Sequence, residues 1–266
     1  MHTFRFFLFV FLAQALFGQI NQTKISSDLE VLALTDSVFV ITHQAPFPAN
    51  SLLVQLKSGD LILVDTPYTP QATDTLLLWI SNTFHRSLSC AINGHFHIDC
   101  LGGNESLIKH QIPVYGSNLT VKLLSEKSEA MRQQFLGWLD KQDADFHIFE
   151  AMTFYPPTHT FQLEENQVIH FDNSQVCIDY LGAAHAPDNI VVYFPEQKIL
   201  FAGCMLITWN RIGNTTDADM AQWPGTVSRL FDYDFQFVIP GHGHRFDRSL
   251  IDHTLYLLNK YDKEHP

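Results

Sequence analysis

Two mixed β-sheets packed face to face, with helices on their outer sides, form the α+β fold class that this 266-residue sequence predicts. Three observations lead to it. Strand-like runs come first and are then interleaved with helical ones. The same order recurs in the second half without any repeated sequence. No Gly/Ser- or Pro-rich linker, low-complexity tract or repeat of 20–50 residues separates the halves. Composition agrees, since 46% apolar and 17% charged residues suit a globular chain with a sizeable core. A single domain over 19–266 is therefore expected.

Residues 37–42 alternate as a half-buried strand does. Segments 51–56 and 61–64 are β-rich runs joined by Ser58-Gly59-Asp60, a hairpin turn. Residues 69–83, with Leu76, Leu77, Trp79 and Ile80, read as a helix. A strand at 88–92 leads through a loop to a helix starting near Gly103, and 113–115 is a short strand. Residues 118–141 read as a helix whose inner side carries Leu123, Leu124, Met131, Phe135 and Leu139. In the second half, 176–181, 190–194 and 199–202 are strands, the last two joined by the turn Pro195-Glu196-Gln197-Lys198. Helices are expected at 219–231 and 250–261, with a strand at 237–239 between them.

The first 18 residues place Arg5 before the apolar run 6–12 and reach neutral residues near Gly18. That is the pattern of a secretory signal peptide, and it is short for a membrane span; an uncleaved anchor is the lesser alternative. A periplasmic or secreted mature domain, free of the membrane, is expected. Its formal net charge of −12 becomes one unit more negative when Arg5 is removed, which argues against nucleic acid and anionic membrane surfaces as partners. No heptad pattern implies assembly, so a monomer is expected. Cys90, Cys100, Cys177 and Cys204 are too few for a disulfide framework in a chain of this length, although a Cys90–Cys100 bridge stays open.

Four of the apolar strands end in potential metal ligands. The 88–92 run leads into His95, His97 and Asp99; the 176–181 run into His185; the 199–202 run into Cys204; and the 237–239 run into His242. Ligands on strand ends are held more accurately than ligands on free loops, and small residues beside each let the backbone approach an ion. Taken singly, a buried His is more often a satisfied core side chain, and Cys204 a small hydrophobe. His-X-His in extended chain changes this, because a period of two puts both imidazoles on one face. His95, His97 and His185 would make a three-imidazole site with an open position, the arrangement of a catalytic zinc. Asp99, Cys204 and His242 would offer carboxylate, thiolate and imidazole to a second ion.

His-Phe-His-Ile-Asp at 95–99, Gly-Ala-Ala-His-Ala-Pro-Asp-Asn at 182–189, Ala-Gly-Cys-Met at 202–205 and Val-Ile-Pro-Gly-His-Gly at 238–243 resemble the metallo-β-lactamases. Leu-Val-Asp-Thr-Pro at 63–67 is similar too, and the resemblance runs from about Val38 to the last helix. The His-X-His-X-Asp motif marks only the broad superfamily. Cys204 is more specific, because other branches commonly place a bridging Asp there. Position 100 is a Cys where glyoxalase-like branches carry a further His. Three His with Asp-Cys-His resembles the largest di-zinc β-lactamase subclass. That resemblance implies a four-layer αβ/βα sandwich, two Zn2+ per chain, and hydrolysis of the β-lactam amide by a zinc-bound hydroxide. It also implies that Asp99 orients the nucleophile and that the Asn214 amide helps to stabilise the developing oxyanion.

Several positions depart from the family or carry two readings. Many relatives place a Lys three residues after the ligand Cys, where this chain has Ile207; Arg211, seven residues after it, resembles the substitute anchor of other members. Arg211 could equally be a solvated loop charge, and Asn214 a turn residue. Phe47, in the 43–50 loop, is either the apolar contact of a flap over substrate or packed back on its own strands. Asp217 or Asp219 reads as the cap of the following helix. Cys100 either carries an acidic thiol beside zinc or packs under the next helix. The rival activities are hydrolysis of thioesters or lactones by the same chemistry and, last, an exported zinc-binding protein without turnover.

Overall fold

The computed structural model describes residues 21–264, so the signal-peptide segment 1–18 lies outside the described residues. Along strand β4 (Ala49–Gln55), Leu52 and Val54 join one apolar cluster while Leu53 joins another. Strand β5 (Leu61–Val64) does the same, with Ile62 and Val64 on one side and Leu61 and Leu63 on the other. Strands that are apolar on both faces have to be covered on both, which forces a layered structure.

The first sheet has eight strands in chain order: β1 (Asn21–Lys24), β2 (Leu29–Thr35), β3 (Val38–His43), β4, β5, β6 (Cys90–Ile92), β7 (Val114–Ser117) and β8 (His159–Phe161). Pairing is antiparallel as far as β5 and parallel from there to β8. The second sheet runs β13 (Phe237–Pro240), β12 (Ile199–Gly203), β11 (Val191–Phe194), β10 (Ser174–Asp179), β9 (Gln167–Phe171). Only its β12–β13 pair is parallel. Both sheets are therefore mixed. Val40, Leu52, Ile62 and Ile92 from the first meet Val176, Val192, Phe201 and Ile239 from the second in the central core.

Helix α1 (Pro70–Phe84) lays Leu76 and Ile80 on the outer face of the first sheet, together with Leu107 of α3 (Asn104–Lys109). Its start is encoded locally. The Thr69 hydroxyl accepts from the Ala72 N–H, and Pro70 occupies the first turn, where no N–H is needed. Helices α6 (Trp223–Ser228) and α7 (Ser249–Glu264) cover the second sheet through Trp223, Val227, Leu250 and Leu258. The layers run helix, sheet, sheet, helix. Helix α4 (Asn118–Leu136), capped by Ser117, and α5 (Ala144–Ala151) enclose an aromatic satellite core around Tyr68, Phe96, Phe135 and Phe149.

The expected elements at 37–42, 51–56, 61–64 and 69–83 fall on β3, β4, β5 and α1. Two helices differ from expectation. The segment read as helix to 141 stops at Leu136, where the Gly137 N–H closes onto Gln133 and the chain turns. The segment read as helix from 219 starts at Trp223; ahead of it Asp219 closes a turn, its carboxylate accepting from the Gln222 N–H and its carbonyl from the Trp223 N–H. The helix then tightens into a 3-10 turn (Arg229–Asp232). Helix α2 (Ile98–Leu101), α5, β8 and β9 were not legible, being short or rich in polar and charged residues. All four cysteines are free, so Cys90 and Cys100 form no bridge.

Trp223 ties the outer layer to the strand ends. Its ring is fully buried, its Nε1–H donates to the Met205 carbonyl at 2.9 Å, and it packs on His185 with ring centres 5.7 Å apart. Trp223→Ala should lower stability by about 3–5 kcal/mol, the usual cost of removing a buried Trp. Urea unfolding followed by circular dichroism checks this; an unchanged midpoint would show that the ring carries no packing energy.

Candidate metal centre

Parallel pairing gathers the site. Strands β5 and β6 run side by side, as do β12 and β13, so the segments leaving them emerge at a common edge. At the end of β5, Asp65 takes a left-handed φ of 58° and its buried carboxylate accepts the Gly94 N–H at 2.6 Å. That bond turns the chain toward His95. The Gly94 carbonyl accepts from the Ile190 N–H of the second half at 3.0 Å, which brings the His185 turn up to His95 and His97. Cys204 follows β12 and His242 follows β13. Asn50 of β4 pins the latter loop, since its amide donates to the carbonyls of Pro240 at 3.1 Å and Gly243 at 2.8 Å. Gly241 is required there, because a Cβ would stand 2.4 Å from the Cys204 sulfur.

His95 Nε2 lies 3.0 Å from His97 Nδ1, which lies 3.2 Å from His185 Nε2. Three ring nitrogens thus share one small volume. Two of the outward nitrogens are engaged: His95 Nδ1 meets the Cys100 sulfur at 3.1 Å, and His97 Nε2 meets Asp217 Oδ2 at 3.1 Å. An outer proton acceptor on His95 and on His97 fixes the tautomer with the inner lone pair free for an ion. Tetrahedral ligation at Zn–N distances of 2.0–2.1 Å separates adjacent nitrogens by about 3.3 Å, close to what the protein provides. Beside them, Asp99 Oδ2 lies 3.3 Å from both Cys204 Sγ and His242 Nε2. His242 Nδ1 is held by the Pro48 carbonyl at 2.7 Å, leaving Nε2 to face inward. Asp99, Cys204 and His242 offer donor atoms that all lie within 4.8 Å of one another.

The electrostatics of the cluster call for a cation. Burial, and then the neighbouring His97, push the His185 imidazole down to about 3, and burial likewise pulls His95 well below its ordinary value. Both stay neutral, as ligands must. Burial also weighs most on Asp99 but is outweighed by His242 and the surrounding imidazoles, which hold its carboxyl far below the usual range. The Cys100 thiol hydrogen-bonds the Cys204 sulfur and lowers its pKa, whereas burial keeps Cys100 itself protonated. Cys100 is therefore neither acidic nor simple packing under a helix; it lies against both His95 and Cys204. The Cys204 thiol donates to Asp99 Oδ2 at 3.3 Å, and once that proton is lost the thiolate and the carboxylate repel unless positive charge lies between them. Burial pulls the His242 pKa down, but Cys204 and Asp99 outweigh it and raise it, so a proton on this ring supplies that charge where an ion does not.

Other expected residues surround a cavity of about 780 Å³ beside the cluster. Phe47 lines it, and its ring meets Phe135 at 6.0 Å and Trp138 at 6.3 Å, both from the α4 end. Arg211 is exposed at the rim with no salt bridge among the described residues, and Asn214 lies beside it. Ile207, at the position where a Lys was sought, is buried under α7 with its N–H on Thr254. Asp217 corrects an expectation. Among the described residues its carboxylate caps no helix but joins His97 to Lys127 of α4, 2.6 Å away, and those two partners pull its pKa down. Sequence reasoning missed Lys127, Gln134 and Trp209, whose ring stacks on His242 at 5.2 Å. No spacing rule links residues so far apart.

Comparison with known proteins agrees with this geometry. Residues 45–242 match the model of the metallo-beta-lactamase superfamily. The chain is 30% identical to the "Metallo-beta-lactamase type 2" of Bacteroides fragilis over 251 residues, covering 91% of this chain and 90% of the relative. It is also 30% identical to that of Pseudomonas aeruginosa, covering 85% and 83%. A solved metallo-beta-lactamase from Pontibacter korlensis superposes with a TM-score of 0.73 at 31% identity, covering 87% of this chain and 99% of that one.

Asp217→Asn removes the anionic acceptor of His97 while keeping the side-chain size. Metal affinity measured by competition with a chromophoric chelator should fall about 10–100-fold, the usual effect of losing such a partner. Unchanged affinity would reduce Asp217 to a surface ion pair.

Proposed function

The chain belongs to the metallo-beta-lactamase superfamily of hydrolases, and on that premise we propose that it is a zinc-dependent β-lactamase opening the strained cyclic amide of β-lactam antibiotics. The observation that carries this reading is the Asp99–Cys204–His242 triad set against the three imidazoles. Imidazole and thiolate donors in threes suit Zn2+ and leave an open position at each ion. His95, His97 and His185 hold one ion in this reading, and Asp99, Cys204 and His242 the other. When bound, the ions supply Lewis acidity and bring the pKa of water to about 7.

The chain's own groups do the positioning. Asp99 directs Oδ2 at Cys204 and His242, which leaves Oδ1 to orient the attacking water. Asn214, lining the same cavity, offers its side-chain N–H to the oxygen that becomes negative as the carbonyl is attacked. Arg211 at the rim can clamp the substrate carboxylate with two parallel hydrogen bonds. Phe47, with Phe135 and Trp138 beneath it, gives the substrate side chain an apolar wall that excludes water. The same reading makes the mature protein a monomeric single domain over 19–266, exported to the periplasm or secreted after removal of 1–18.

The zinc-loaded protein should hydrolyse a chromogenic cephalosporin, lose that turnover with a chelator and regain it with added Zn2+. Protein containing two zinc ions and showing no hydrolysis would overturn the reading, and turnover of thioesters or lactones instead would move it elsewhere in the superfamily. Arg211→Ala should raise KM for carboxylate-bearing substrates about 10-fold or more with little change in kcat, since a charged hydrogen bond contributes about 1.5–3 kcal/mol. An unchanged KM would leave Arg211 as a solvated loop charge.

A further inference from the structure

Helix α4 crosses the cavity and touches the loops on both sides of it. At helical spacing, Lys127, Met131, Gln134 and Trp138 form one stripe along and just beyond the helix. Lys127 reaches Asp217, Trp138 reaches Phe47, and Gln134 lies between them and bonds to Asn214. The Gln134 contact controls a catalytic proposal made above. Asn214 Oδ1 accepts from the backbone N–H of Thr216 at 3.1 Å. A backbone N–H can only donate, so that contact assigns the oxygen of the Asn214 amide without ambiguity. The Gln134 atom 3.1 Å from the same oxygen must then be its Nε2, also donating. Gln134 Nε2 donates in addition to the Thr216 hydroxyl, so one side-chain amide ties both ends of this turn. With its oxygen held by two donors, Asn214 has only its NH2 group left to present to the cavity.

We propose that Gln134 is a positioning residue for hydrolysis: it locks the Asn214 amide so that its N–H donors, and never its oxygen, face the substrate carbonyl. This rests on the oxyanion role proposed for Asn214. A flipped amide would set an oxygen against the developing negative charge, turning stabilisation into repulsion. One hydrogen bond from Thr216 leaves the amide able to tilt on its own χ2, a broad torsion; the second bond, from a helix, stops that movement. Gln134 does not touch substrate in this account. It acts through Asn214, and α4 transmits its rigidity to the oxyanion position.

The test compares Gln134→Ala, Gln134→Glu and Asn214→Ala in zinc-loaded protein, with Gln133→Ala as control, because the exposed Gln133 side chain bonds to Glu129, away from the cavity. With a chromogenic cephalosporin, Gln134→Ala should lower kcat about 10-fold with KM nearly constant. That is a fraction of the roughly 10²–10³-fold that loss of a whole oxyanion donor costs. Gln134→Glu, which cannot donate to Asn214, should lower it at least as far. The double variant Gln134→Ala/Asn214→Ala should be no slower than Asn214→Ala alone, since a positioning residue has nothing left to position. Additive losses would overturn the proposal, as would a fall in zinc content that accounts for the loss.

A second measurement does not depend on the substrate. In 15N-labelled protein, the Asn214 side-chain NH2 pair is assigned by its absence in Asn214→Ala. It should be sharp in the parent and shifted or broadened in Gln134→Ala. An unmoved pair overturns the positioning role even when cephalosporin is hydrolysed. A moved pair in a protein that hydrolyses no cephalosporin upholds the positioning role and places the fault in the β-lactamase reading.

Discussion

Lone pairs and negative charges aimed into one small volume repel one another, and the whole strand-end architecture resists that repulsion. Three imidazole nitrogens within 3.2 Å of a neighbour, beside a cysteine sulfur and a carboxylate 3.3 Å apart, are not an arrangement that apolar packing alone would select. It persists because each group is held from behind. Asp217 and Cys100 fix the outer nitrogens of His97 and His95, and the Pro48 carbonyl fixes that of His242. Asn50 and Gly241 hold the loop that carries His242 against Cys204. The stability of the surrounding sandwich is what keeps the donors together, and a cation removes the repulsion between them.

Each layer contributes a different part of that support. The first sheet delivers His95, His97 and Asp99 through the Asp65 turn, while the second delivers Cys204 and His242 through its parallel pair. Trp223 fills the space behind His185 and binds the Met205 carbonyl, so the outer helix layer reaches the cluster directly. Helix α4 adds the wall opposite the metal-ligand loops. Its contacts to Phe47, Asn214 and Asp217 couple the 43–50 loop, the Asn214 turn and a support of His97 to one rigid element. Movement of any one of them is therefore opposed by the other two.

Much of this was legible in the order of residues. Period-two alternation located β3, β-rich runs located β4 and β5, the apolar residues of 69–83 located α1, and ligand types at four strand ends pointed to one convergent site. These signals are local, and local chemistry is what a sequence displays. The boundaries that failed were decided at single positions: the turn that Asp219 closes ahead of α6, and Gly137, which ends α4 before Trp138. The edge strand β9 alternates in burial, but Val168 stands on its exposed face and Gln167 on its inner one, so the apolar alternation is blurred in the sequence.

Asp217 shows where such reading stops. In sequence it is an acid just ahead of a helix, and capping is the natural expectation. Its partners, His97 and Lys127, lie 120 and 90 residues away, and only the folding of α4 across the second sheet's loops brings them together. Gln134 is similar, an ordinary helical Gln until Asn214 stands beside it. By itself the sequence determined the donor types and the strand ends that carry them, because residue chemistry and backbone periodicity are local properties. Only the tertiary structure decided which groups stand behind those donors, and so which tautomer, which amide face and which charge each presents, because these depend on contacts between segments that no sequence spacing relates.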